Sequence, residues 1–145
     1  MLKKSIGFLV FLLLVISVSA EWKTYEQTDE FGELTGSKYL YNEMQDSNFM
    51  MNTTNGTTYF AVIHDTYIET IDNLILVKFI NEKKERLELN GFTYDSGHAF
   101  LVVMNKEGME YFKKSKDIKI STKDFQEEIF VFQTDLNLDY KILGK

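Results

Sequence analysis

Leu74-Ile75-Leu76-Val77-Lys78-Phe79-Ile80, then Asn81-Glu82-Lys83-Lys84-Glu85, then Arg86-Leu87-Glu88-Leu89 is the stretch that decides the fold. The first run has the length of a strand and is apolar throughout except for Lys78; period alone does not separate it from buried helix, but its β-branched content and polar turn boundaries favour a strand. The charged loop that follows is short, and Arg86-Leu87-Glu88-Leu89 resumes with strict alternation, so the whole reads as a β-hairpin. Ala99-Phe100-Leu101-Val102-Val103-Met104 is a second apolar run of strand length. Because both runs are apolar at odd and even positions, they are expected as central strands buried on both faces.

Outward from this centre the β pattern continues. Thr58-Tyr59-Phe60-Ala61-Val62-Ile63 and Ile129-Phe130-Val131-Phe132-Gln133-Thr134 are β-branched and aromatic, and Asp117-Ile118-Lys119-Ile120-Ser121-Thr122 alternates cleanly. Trp22–Thr28 and residues 37–44 read as two further strands, joined by a turn-like stretch over 29–36. Asn55-Gly56 fits a tight hairpin turn, in an Asn/Thr-rich segment running from Asn52 to Thr57. Asn90-Gly91 and Asp95-Ser96-Gly97 read as turns, since Gly and Asn tolerate positive φ. Lys106–Lys114 breaks the pattern, with Met109 and Phe112 at helical spacing, and a second helical turn is expected within 136–143. The expected fold is mainly β: an antiparallel β-sandwich or barrel with one or two short helices in the C-terminal third.

The N-terminus has a separate role. Lys3 and Lys4 precede an apolar run from Ile6 to Ile16, and Val18 and Ala20 stand at −3 and −1 before Glu21. This is the layout of a cleaved signal peptide over residues 1–20, leaving a single β-rich domain over 21–145. The run falls short of the roughly 20 residues that span a bilayer. The expected product is exported, periplasmic or extracellular, with no stable membrane anchor after cleavage. The chain has no Cys, so no disulfide supports it and no lipid can be attached through cysteine. Its 12 Phe, 8 Tyr and single Trp supply the large apolar areas that such a core needs.

Charge narrows the partners. Losing Lys3 and Lys4 takes the 16 basic residues to 14, against 22 acidic ones. The imbalance is local: residues 21–77 hold two lysines against ten acids, whereas residues 78–145 are balanced at twelve each. An acidic domain is a poor partner for nucleic acid or an anionic membrane. The expected partner is a protein or an envelope component. The predominance of Lys over the single Arg, with frequent Asn and Ile and no Pro, reads as coding bias and favours a bacterial source.

No motif carries chemistry. His64 and His98 are the only histidines, too few without Cys for a zinc site, and Ser96 lacks the Gly-x-Ser-x-Gly elbow. Both histidines read as strand-end or turn residues. Asp29-Glu30-Phe31-Gly32-Glu33 is acidic but lacks the alternating ligand positions of an EF-hand. Asn52-Thr53-Thr54 and Asn55-Gly56-Thr57 match the N-glycosylation acceptor and otherwise read as turn. Lys113, Lys114, Lys116, Lys119 and Lys123 read as the outer side of a helix and strand, or as a patch for anionic glycans. The expected assignment is no catalytic residue, no metal and no cofactor; the ligand-binding residues are not specified.

Trp22, then Asp29-Glu30-Phe31-Gly32-Glu33-x-Thr35-Gly36-x-Lys38-Tyr39, resembles the opening of a group of small exported bacterial proteins of uncharacterised function. Phe49-Met50-Met51-Asn52-Thr53-Thr54 looks like their following Phe-x-Asn-x-x-Thr stretch, with the Asn displaced, and the C-terminal order of helix, Lys-rich strand, aromatic strand and short final helix is also similar. More distantly, the layout is similar to the invasion-associated locus B group and to type VI secretion accessory proteins. The resemblance implies an exported, sandwich-like β domain and carries over no catalytic residue. Together these readings favour a non-enzymatic binding or envelope-associated module. The alternatives are a secreted inhibitor or immunity-like protein using the acidic loop over 29–33, and a carboxylate-dependent hydrolase, which would need a deep pocket with two close carboxylates.

Overall fold

The computed structural model describes residues 22–43 and 47–144, with the side chains of residues 35–37, 43 and 144 left aside. The expected signal peptide, residues 1–20, and position 44, the expected end of the second strand, lie outside the described residues. The strands are β1 (Trp22–Thr28), β2 (Leu34–Glu43), β3 (Ser47–Thr54), β4 (Thr57–His64), β5 (Leu74–Asn81), β6 (Arg86–Tyr94), β7 (Ala99–Met104), β8 (Asp117–Lys123) and β9 (Ile129–Asp135). They form one antiparallel sheet in the order β1-β2-β3-β4-β7-β6-β5-β8-β9. The fold is therefore the expected antiparallel β type, with one α-helix, α1 (Lys106–Lys114), and 3₁₀ turns at Asp95–Gly97 and Tyr140–Gly144.

The sheet is rolled without closing. Asn42 on β2 and Thr134 on β9 are seven strand positions apart, about 33 Å in a flat sheet at roughly 4.7 Å per spacing. Yet Asn42 Nδ2 donates to Thr134 Oγ1 at 3.2 Å, and the Trp22 indole N–H donates to the Asp135 carbonyl at 3.0 Å. The ends meet through side chains, while β1 and β9 form no ladder with each other. The rolled sheet encloses Phe49, Phe60, Phe79, Phe100, Val62, Val77 and Val102, all fully or almost fully buried.

Helix α1 fills the roll. Asn105 caps it by accepting from Gly108 N–H at 2.7 Å, and Lys113 and Lys114 suit the negative end of its dipole. Phe112 then inserts edge-on between Phe60 (5.1 Å between ring centres) and Phe79 (5.5 Å). Asn81 ties the helix end to the β5–β6 turn: its Oδ1 accepts from the Lys83 and Glu85 N–H groups, and its Nδ2 donates to Ser115 Oγ at 3.0 Å. This buried amide is satisfied on both sides, so it fixes the turn without leaving an unpaired polar group.

Five readings are corrected. β5 is not buried on both faces: it alternates, with Leu74, Leu76 and Lys78 outward and Ile75, Val77 and Phe79 inward, whereas β7 is exposed only at Val103, with Leu101 half-buried. Asn90-Gly91 is not a turn but the middle of β6, where a Cβ on Gly91 would lie 2.7 Å from the Leu101 carbonyl oxygen. Gly serves there for close strand approach, not for positive φ. Leu34 begins β2, so the loop over 29–36 is shorter than expected. Asn52-Thr53-Thr54 belongs to β3, whose Phe49 and Met51 are core, and only Asn55 and Gly56 turn, with φ of 52° and 78°. The expected second helical turn reduces to the 3₁₀ turn Tyr140–Gly144.

Candidate functional site

The register that buries one side of each strand sends the other side outward, and part of that outer side is apolar. Leu74 pairs with Phe92, Phe92 with Leu101, Leu101 with Ala61, Ala61 with Met50 and Met50 with Tyr41. One row of apolar and aromatic residues thus crosses six strands; Leu74 and Phe92 at one end are exposed, Leu101, Met50 and Tyr41 are half-buried, and Ala61 is buried. A second row runs Tyr25, Tyr39, Asn52, Tyr59, Val103, and Tyr25 stacks on Tyr39 with ring centres 5.6 Å apart. Leu76 is 44% exposed and Phe92 46%, each on a strand whose neighbouring residues are core.

Along β5 and β6 this face continues into a groove of about 290 Å³. Arg86, Ile80, Lys119 and Gln133 form one cross-strand row there, and Glu88, Lys78, Ser121 and Val131 the next. Lys78 lies 3.9 Å from Glu88. Arg86 and Lys119 have no ion pair among the described residues, and Ile80 stands between them. The groove is therefore cationic within a net-acidic chain, over an aliphatic floor.

A third exposed feature is the β1–β2 turn. Asp29 Oδ1 accepts from the N–H groups of Phe31 and Glu33, both at 2.9 Å, and Asp29 N–H donates to the Glu33 carbonyl. The turn is thereby locked by its own side chain, and it holds Phe31 80% exposed at the tip.

The sequence-singled residues do not converge. His64 ends β4 and is 5% exposed, packed 5.2 Å from the Phe132 ring and 5.8 Å from Phe100. Neither ring nitrogen has a hydrogen-bond partner among the described residues. Burial lowers its pKa below the usual imidazole value, against the peptide at Thr66 and the Asp65 carboxylate, which pull upward; His98 adds to the lowering. His98 instead lies beside Tyr67, 6.0 Å between ring centres. Among the described residues no three of His, Cys, Asp and Glu stand together as metal ligands, and no helix is long and apolar enough to cross a membrane. Of the lysine series, Lys114 pairs with Glu85 and Lys123 with Glu127, while all five side chains are exposed.

Arg86 and the outward residues Leu74, Leu76 and Phe92 were not distinguished as site residues by sequence reasoning. The signal for Arg86 was present, since it is the only Arg in the chain. For the leucines there was none, because apolar residues flank them on both sides. Comparison with family models, with curated proteins and with solved structures finds no match. Function is thus read from the chain's own surfaces.

Proposed function

We propose that the chain is an exported, non-enzymatic binding module whose working part is the outer face of its sheet. One observation carries this: Leu74, Leu76, Phe92 and Val103 are exposed on β5, β6 and β7, whose alternate residues form the core. A contiguous apolar patch on a small domain costs solubility and promotes aggregation, and such patches mark interaction sites. Tyr25, Tyr39 and Tyr59 extend the patch with side chains that combine large area and a hydroxyl, the composition favoured at protein interfaces. The partner is a protein or envelope component.

A second reading is supported by the locked turn over 29–33. An exposed aromatic on a rigid acidic loop is the form of an inhibitor that anchors in a partner's pocket. Capture from the envelope fraction of the host separates the two. With the exported protein as bait, the double replacement Leu76→Ser and Phe92→Ser should abolish capture of a discrete partner while the thermal midpoint stays close to that of the parent. Loss of the same partner on Phe31→Ser alone would move the assignment to the inhibitor. Capture unaffected by either change would sink both.

A further inference from the structure

We infer that the β1–β2 tip of one copy docks into the cationic groove of another, so that the chain associates head to tail with itself. The inference rests on the outer face being the working surface, and it names the occupant of the part of that face which is charged. The two features match in charge and in order. In the groove, Ile80 lies between Arg86 and Lys119 in a single row, with the cations two strand spacings apart, about 10 Å. At the tip, Phe31 lies between Glu30 and Glu33. Asp29 is occupied by its own backbone, whereas Glu30 and Glu33 have no ion pair among the described residues, just as Arg86 and Lys119 have none.

The chemistry of the contact follows from these groups. Phe31 places its ring over Ile80 within the groove, with the Arg86 guanidinium able to lie against the ring face. The carboxylates of Glu30 and Glu33 meet Lys119 and Arg86, which removes two like charges from each surface. A volume of about 290 Å³ has room for one aromatic side chain and its shell but not for a folded domain, so a projecting tip is the kind of occupant that fits. A polyanionic glycan would satisfy the cations and leave Ile80 and Val131, itself 61% exposed, against polar groups. A twofold contact of groove on groove would set cation against cation. The tip and the groove are different patches, so the contact is heterologous and yields open chains or rings, not a closed dimer.

Charge exchange tests this on the purified exported protein, residues 21–145, by sedimentation over a range of concentrations at low and high salt. The parent should self-associate at low salt and weaken as salt screens the contact. Reversing the tip (Glu30→Lys with Glu33→Lys) or the groove (Arg86→Glu with Lys119→Glu) should each weaken association by at least about tenfold, since like charges then face each other. Mixing the two reversed proteins should restore it, because each tip again meets a groove of opposite sign; a merely misfolded variant could not be rescued this way. Phe31→Ser should weaken association with charge unchanged. A parent that stays monomeric at millimolar concentration, or a mixture that stays monomeric, overturns the inference. So does heparin binding that Arg86→Glu abolishes in a monomeric protein, which would assign the groove to glycans. If these fail while Leu76→Ser with Phe92→Ser still abolishes partner capture, only the self-docking falls and the binding face stands.

Discussion

The inner and outer sides of β5 and β7 are built from the same kinds of residue and meet opposite environments. Val77 is fully buried and its neighbour Leu76 is 44% exposed; Val102 is fully buried and Val103 lies open beside it. Inside, the roll of the sheet brings Phe60, Phe79 and Phe112 into mutual contact, so each apolar group exchanges water for dense packing. Outside, no described element covers Leu74, Leu76 or Phe92, and the same apolar area stays hydrated. The difference teaches that residues of the same kind have separate structural roles: the inner side holds the fold, and the outer side adds little burial to it.

The sharpest way to break this comparison is to truncate one phenylalanine from each side. Phe112→Ala should cost about 3–5 kcal/mol by lost burial and a residual cavity, whereas Phe92→Ala should change urea-unfolding stability by less than about 1 kcal/mol. Similar losses from both would mean that the outer face is covered. Next, Val102→Ala should cost about 2–4 kcal/mol and Leu76→Ala much less, although both sit in the middle of apolar runs.

Gly91→Ala sharpens the inner side. Its Cβ would meet the Leu101 carbonyl at 2.7 Å and Val77 Cγ2 at 3.2 Å, so the strands must move apart. A loss of about 1–3 kcal/mol is expected, as for other overpacked cores. If Gly91 were the turn that sequence suggests, Ala would instead be tolerated whenever its φ allowed.

The buried His64 adds a pH test. Its folded pKa is lowered by burial, below the ordinary 6.5, so the unfolded chain takes up the proton first. Stability is fully present above that ordinary value and declines as pH falls from about 6.5 toward the lowered folded pKa. Denaturation midpoints measured from pH 7.5 to 5.5 should therefore fall for the parent and stay flatter for His64→Phe, which keeps an aromatic between Phe100 and Phe132. An equal slope in both proteins would place the titrating group elsewhere. The smallest effect belongs to the solvated lysines: Lys113→Ala should shift the midpoint by less than about 0.5 kcal/mol.

Much of the element order was legible from local chemistry. The β5–β6 hairpin, the strands β4, β7, β8 and β9, the Asn55-Gly56 turn and the helix over Lys106–Lys114 follow from short-range pattern. β3 was obscured because Asn52, Thr53 and Thr54 are turn residues by composition, while their place in a ladder between β2 and β4 comes from pairing partners distant in the chain. Gly91 misled for a related reason: its use is to admit the Leu101 backbone, and nothing in the residues beside it records that approach. The candidate surface was legible only in fragments. The acidic loop over 29–33 stands out by charge, but the Arg86–Ile80–Lys119 row draws on three strands and exists only when they are paired.

By itself, the sequence determined that the chain is β-rich, cysteine-free and aromatic enough to sustain a core, since composition and local periodicity decide those properties residue by residue. Which face of β5 and β7 is core was decided by the tertiary structure alone. A run such as Leu74-Ile75-Leu76-Val77 is apolar at both parities, so it carries no period-two signal to orient it. The curl that brings Asn42 to Thr134 and seals Val77 inside leaves Leu76 outside, and that choice arises from contacts between strands far apart in sequence.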